Sequence, residues 1–241
     1  MLSISFRRAR PAVLVLLLSA CSTSLPWQNE PVGSEVNLAF VLDGNLLRLG
    51  TAEINGYRGH YIFGSATPQS IIDVRAAATL GPHPEGYRLQ LGEKQTVRIH
   101  PAIADLGGSA DAVIGADMIG KRAVTIDYRS GLVTYQKLGI FTSLMTTYRF
   151  TGAPHIPVMV DGQQIDAIVD TTSPDTLTLP GSGARRNVRV SIAGSDLGTI
   201  DIGYGDTSVA RIGNRLLASF LVSIDYGKGI VGLYRDTRPQ P

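Results

Sequence analysis

The chain of 241 residues holds one cysteine, one tryptophan and four histidines, the last scattered at His60, His83, His100 and His155. A lone cysteine excludes an internal disulfide and a multi-thiolate metal site. No His-x-x-x-His spacing occurs, which removes the zinc sites built on one helix, and no metal or other cofactor is expected. Gly-x-Ser-x-Gly is missing too, and with it the nucleophile elbow of the α/β-hydrolases. A Ser-His-Asp triad would have to assemble in space, and nothing in the spacing favours one. Gly203-Tyr204-Gly205 lacks the third glycine and the strand-to-helix setting of a dinucleotide loop. Helical periods are also scarce. From Val36 onward, short runs rich in Val, Ile, Leu, Thr and Tyr alternate with Gly, Asn and Asp turns, the pattern of a mostly β chain.

The first twenty residues are of a different kind. Arg7, Arg8 and Arg10 precede an apolar run from Ala12 to Leu18 and then Ser19-Ala20-Cys21. This is the make-up of a secretory signal, with an apolar stretch too short to cross a bilayer. Leu18-Ser19-Ala20-Cys21 resembles the bacterial lipobox, in which cleavage leaves the cysteine as a lipid-bearing N-terminus. Residues 1–20 are therefore read as a leader and Cys21 as the site of lipidation. The non-acidic Ser22 then implies an anchor in the outer membrane, facing the periplasm of the bacterial envelope. Loss of the leader removes three arginines and no acid, so the net charge falls from +2 to −1. Such a chain lacks the basic footprint of nucleic-acid binding, and Arg185, Arg186 and Arg189 read as a solvated hairpin. Residues 21–35, with Pro26, Pro31 and Gly33, read as a tether that places Trp27 near the membrane interface. The remaining length suffices for one bilobal body or two small domains.

That length is used twice. Ile62-Phe63-Gly64-Ser65-Ala66-Thr67-Pro68 overlies Ile168-Val169-Asp170-Thr171-Thr172-Ser173-Pro174 without a gap, at an offset of 106 residues, with Asn55-Gly56 falling on Asp161-Gly162. Further on, residues 114–133 overlie residues 212–231 at an offset of 98, sharing an apolar-Gly start and an Ile-Asp-Tyr strand end. Two ordered matches at nearly equal offsets indicate a duplicated unit of about a hundred residues. Apolar-apolar-Asp-Thr-Gly-Ser/Ala, followed by apolar-Gly and a strand ending in Asp-Tyr, resembles the aspartic peptidases of retropepsin and pepsin type. The resemblance covers roughly 50–135 and 156–235. It implies an all-β fold made of a tandem pair of acid-protease β-barrel lobes, 36–138 and 139–241. It also implies short helices within Ile72–Leu80 and after Gly115 and Gly213, a crossing near 136–155, and hairpins near Tyr87–Arg98 and Arg189–Ile202, either of which would be the place to look for a flap.

In that family each lobe supplies one aspartate, the pair holds a water, and the hydroxyl after each aspartate ties the lobes together. Here Asp170 matches the aspartate of the second lobe, whereas Gly64 stands in its place in the first. The hydroxyl position is filled twice, by Ser65 and Thr171, and the family's elbow glycine is replaced by Ala66 and Thr172. Two carboxylates about 3 Å apart divide acid and base roles between them because both cannot ionise; a lone Asp170 has no such partner. Asp111, Asp117 and Asp127 lie on segments matching Val209, Arg215 and Asp225, which makes them poor substitutes. Asp127-Tyr128 and Asp225-Tyr226 read as hairpin-turn residues. The leading expectation is a monomeric, non-catalytic lipoprotein whose cleft holds an extended peptide or an envelope protein through backbone hydrogen bonds. The alternatives are an active peptidase using Asp170 with a non-standard second acid, and a structural lipoprotein with a closed cleft. Function does not follow from fold, and the three stay open on sequence alone.

Overall fold

A computed structural model describes residues 35–92, 95–120, 122–136 and 142–235. The leader, Cys21, Trp27 and most of the tether lie outside the described residues. What is described is mostly β. In the first half the strands are β1 (Val36–Asp43), β2 (Leu46–Leu49), β3 (Ala52–Ile54), β4 (Tyr61–Phe63) and β5 (Ile71–Asp73). Helix α1 (Val74–Leu80) follows, then β6 (Tyr87–Leu91), β7 (Gln95–Ile99), β8 (Ala102–Ala104), β9 (Ala112–Ile114), β10 (Ala123–Asp127) and β11 (Leu132–Gln136). The second half has β12 (Thr146–Arg149), β13 (His155–Val160), β14 (Gln163–Val169), β15 (Leu177–Pro180), β16 (Arg186–Ile192) and β17 (Ser195–Gly205). It closes with β18 (Ala210–Ile212), α2 (Asn214–Leu217), β19 (Leu221–Asp225) and β20 (Ile230–Tyr234).

The halves join through one sheet. β10 and β19 pair antiparallel, with Thr125 opposite Ser223 and their hydroxyls 2.7 Å apart. Ser223 is also the residue that the 98-residue offset equates with Thr125, so the pairing runs symmetrically about this point. On either side the sheet continues through β11 and β1 in one direction and through β20 and β12 in the other. Beyond that strip the halves diverge. The second half closes a six-stranded barrel in the order β13-β14-β18-β15-β17-β16. The corresponding strands of the first half stay open: β2, β4, β9, β5 and β8 extend the large sheet, and β3, β6 and β7 form a separate one.

Local sequence explains that difference. β17 runs for eleven residues and reaches from β16 to β15, whereas Pro101 separates β7 from β8. Proline has no N–H for the ladder and ends continuous pairing. The hairpin of β13 and β14 closes through Asp161-Gly162 at φ 48° and 81°, and its counterpart Asn55-Gly56 has nearly the same angles, φ 50° and 81°. Positive φ at both positions is what a tight hairpin turn needs. In each half the turn side chain also binds the next hairpin: Asn55 Oδ1 accepts from Arg88 N at 2.8 Å, and Asp161 Oδ1 from Arg189 N at 2.9 Å.

Helix α1 begins two residues later than the expected Ile72 because Ile72 and Asp73 are still paired in β5. Asp73 caps it, accepting from Arg75 N, and its buried carboxylate also takes the Leu106 N–H and the Arg75 guanidinium. The Leu106 N–H, then the two Arg75 donors, hold its pKa down at about 2. The two other expected helices are a 3-10 turn, Ala116–Met118, and α2. The apolar core is continuous across both halves, from Leu47, Phe63 and Leu89 to Val169, Val190 and Ile224.

Candidate functional site

Each elbow follows a strand that ends in an apolar residue. β4 runs parallel to β9 and β14 parallel to β18, pairing Ile62 with Val113 and Ile168 with Arg211. Gly64 N donates to Ile114 O at 2.9 Å, and Asp170 N donates to Ile212 O at 3.0 Å. The chain turns back at once: Thr67 N bonds Gly64 O, and Ser173 N bonds Asp170 O, both at 3.2 Å. Gly115 and Gly213 make the turns possible. A Cβ would lie 2.6 Å from Thr67 O at Gly115 and would collide with Asp175 O at Gly213, both backbone atoms with nowhere to go.

The two elbows hold each other. Ser65 Oγ donates to Val169 O and Thr171 Oγ1 donates to Phe63 O, each at 2.6 Å. In return Ser65 N donates to Thr171 Oγ1 at 2.9 Å and Thr171 N to Ser65 Oγ at 3.1 Å. All four bonds are buried and span more than a hundred residues of sequence. Tyr226 adds a fifth tie, its hydroxyl donating to Ser65 O at 2.6 Å. The matching Tyr128 reaches the second elbow indirectly: its hydroxyl donates to Asn214 Oδ1, and Asn214 Nδ2 donates to Thr171 O and Asn45 O. Burial pushes both phenols well above the usual tyrosine range. The Asp-Tyr pairs thus do two things. Asp127 Oδ1 caps its hairpin by accepting from Arg129 N, and Asp225 Oδ1 does so from Lys228 N; the tyrosines reach inward to the elbows.

The symmetry stops at the side chains that matter for chemistry. Asp170 is 2% exposed, and both of its oxygens are engaged. Oδ1 accepts from Thr172 N at 2.9 Å and Thr172 Oγ1 at 2.6 Å, and Oδ2 accepts from Arg211 Nη1 at 2.6 Å. The Arg211 side chain, in contrast, is 39% exposed. In the first half the corresponding pair is Gly64 and Val113. The space a side chain would need at Gly64 is taken: a Cβ there would lie 2.6 Å from Thr67 Oγ1, 2.8 Å from Val113 Cγ1 and 3.0 Å from Thr172 Cγ2.

The other carboxylates considered from the sequence have their own partners. Asp111 accepts from His60 N, Asp117 accepts from Ser70 Oγ and Met118 N, and Asp127 caps its turn. Arg185 pairs with Asp175 and Asp201, Arg186 with Asp161, and Arg189 with Asp196, all at half-exposed or more exposed positions. Both hairpins singled out as flap candidates are built into the sheets of their own halves. β6 pairs with β3 and β16 with β13, and Leu89, Leu91, Val188, Val190 and Ile192 are buried. Among the described residues no group of three or more His, Cys, Asp or Glu side chains gathers as a metal would require, and no helix is long and apolar enough to cross a membrane.

A cavity of about 490 Å³ opens beside the first elbow, lined among others by Ser65, Ala66, Pro68, Asp117, Pro154 and Tyr226. Ala116 stands on its wall where the second half has Asn214, whose side chain is committed to three hydrogen bonds. The residue that the sequence reading overlooked is Arg211. Its signal was present: Ala-Val-Ile-Gly at 112–115 overlies Ala-Arg-Ile-Gly at 210–213, a cation in the middle of a strand where its copy has valine. No protein-family model matches the chain, and no curated protein matches it.

Proposed function

We propose that this chain is an envelope lipoprotein of two aspartic-peptidase-like lobes that binds an extended peptide or an envelope protein without cutting it. The observation that carries the proposal is the Asp170–Arg211 pair. A peptidase of this type needs two carboxylates that share a proton and a water. Here the one acid accepts three donors from its own half, and the place of the second acid is packed with Thr67, Val113 and Thr172. The lobe-bridging hydroxyls are present in both elbows and fix their shape without drawing on a second acid. The open cavity at Ser65 and Ala66, and the half-exposed Arg211, give that shape a surface to bind with. The anchor would be Cys21, at the periplasmic face of the outer membrane.

A second reading, that of a purely structural lipoprotein, is favoured by the filled space at Gly64 and by the two hairpins folded into their sheets. The full chain in mild detergent, immobilised and exposed to a diverse library of unstructured peptides at pH 7, separates the two. Retention of a subset of sequences, competed by the same peptides free in solution, is expected for the binder. Absence of any retained peptide would leave the structural reading.

A further inference from the structure

The strand that carries Arg211 is flanked in register by Ile168 of β14 and Thr178 of β15. These three residues point to one face and are all half-buried, while their neighbours Ala167, Val169, Leu177, Ala210 and Ile212 fill the core on the other. The corresponding row of the first half is Ile62, Val113 and Ile71, which is entirely apolar. The elbow region therefore has an apolar row in the first half and, in the second, a row with a cation at its centre.

A guanidinium offers five N–H donors in a planar fork. Asp170 Oδ2 takes one Arg211 donor, and among the described residues it is the acceptor that the guanidinium has. The other four donors of the fork lie on a side chain that is 39% exposed. Asp170 is itself fixed by two bonds from Thr172, so it holds the arginine in one orientation and lowers the entropy that a ligand must remove on binding. Fixed forks of this kind recognise carboxylates, with two parallel N–H···O bonds where geometry allows.

We infer that Arg211, oriented by Asp170, is a recognition residue for a carboxylate on the bound peptide, either its free C-terminus or an Asp or Glu side chain. This inference rests on the reading of the elbow face as a peptide-binding surface. It makes the former catalytic position the inner half of an ion pair and the arginine its outer, ligand-facing half.

The test uses peptides retained by the full chain, each made in three forms: native, C-terminally amidated, and with Asp and Glu changed to Asn and Gln. Affinities are measured by fluorescence polarisation for the wild type, Arg211→Lys, and the neutral pair Asp170→Asn/Arg211→Gln, which removes both charges together and avoids stranding a buried carboxylate; circular dichroism establishes that each variant is folded. The expected result is a loss of tenfold or more when the carboxylate is removed from the peptide, with the amidated and side-chain arms showing which carboxylate is read. The same loss is expected with the neutral pair, which should no longer distinguish the three forms, and a smaller one with Arg211→Lys, which keeps the charge without the fork. Peptides that bind the wild type and the neutral pair equally and ignore the loss of their carboxylates would overturn the inference while leaving the binding function intact. Failure to retain any peptide would overturn both.

Discussion

The first elbow and the second share a backbone and differ in what they hold. Both turn through the same pair of hydrogen bonds, both rest against a glycine that follows a strand, and both offer a hydroxyl to the other. Yet the first has Gly64 against Val113, a packed apolar contact, and the second has Asp170 against Arg211, a pair with one partner buried and the other half in solvent. The comparison teaches that hydrogen bonds fixing chain geometry and side chains fixing chemistry are separable layers of one site. Here the first layer is symmetric and the second is not.

The strongest way to break the asymmetry is to place an acid in the first elbow as well. Gly64→Asp places a Cβ against Thr67, Val113 and Thr172 and adds a carboxylate beside Val113, where the second half has Arg211. Burying a charge without a partner and overpacking the site together are expected to cost about 3–5 kcal/mol, read as a shift of the urea midpoint. A cost under about 1 kcal/mol would mean that the first elbow is looser than its contacts indicate.

Next in size are the shared hydroxyls. Ser65→Ala deletes the bond to Val169 O and strands Thr171 N; Thr171→Ala deletes the bond to Phe63 O and strands Ser65 N. Each is expected to lose about 2–3 kcal/mol, because a buried orphan donor adds to the bond lost. The double variant should lose less than the sum, since the two residues act as one network. Additive losses would show that they stabilise the two halves independently.

Tyrosine supplies a smaller effect of opposite symmetry. Tyr226→Phe removes a direct bond to the Ser65 carbonyl, whereas Tyr128→Phe removes one that acts through Asn214. Both should cost about 1–2 kcal/mol, but only Tyr226→Phe should speed amide exchange at the first elbow. Equal acceleration at both elbows in either variant would contradict the contact map.

The smallest effect is a response to acid centred on α1. Asp73, buried at the start of α1, has Pro180 as its counterpart in strand register. Its folded pKa of about 2 lies below the ordinary carboxylate value of 3.8. The stabilisation it gives is therefore complete above the unfolded value and is lost as pH falls from about 4 to about 2. In hydrogen exchange, α1 and β5 should loosen over that window while β15 does not, and Asp73→Asn should remove the pH dependence of α1. Loosening of β15 in parallel would place the acid sensitivity elsewhere.

Much of the framework could be read from residues. Asn55-Gly56 and Asp161-Gly162 stood at matching places in the repeat as polar turns, and both adopt positive φ angles. Alternating apolar runs announced a mostly β chain, and Gly115 and Gly213 marked the starts of short helical turns. What was not legible is what depends on contacts across the fold. Nothing local to Arg211 points to Asp170, 41 positions away, and Tyr226 sits 161 positions from the Ser65 carbonyl that it binds. The open first half against the closed second was also hidden, because it turns on Pro101 interrupting a strand that its copy completes.

On the proposed reading Asp170, held by Thr172 and Arg211, does no acid catalysis. The direct test is cleavage of a diverse unstructured peptide library by the full chain from pH 3 to pH 8, followed by mass spectrometry, with Asp170→Asn alongside. No new peptide ends at any pH, in either protein, is the predicted result; cleavage by the wild type that disappears in Asp170→Asn would contradict it and make Arg211 part of an enzyme.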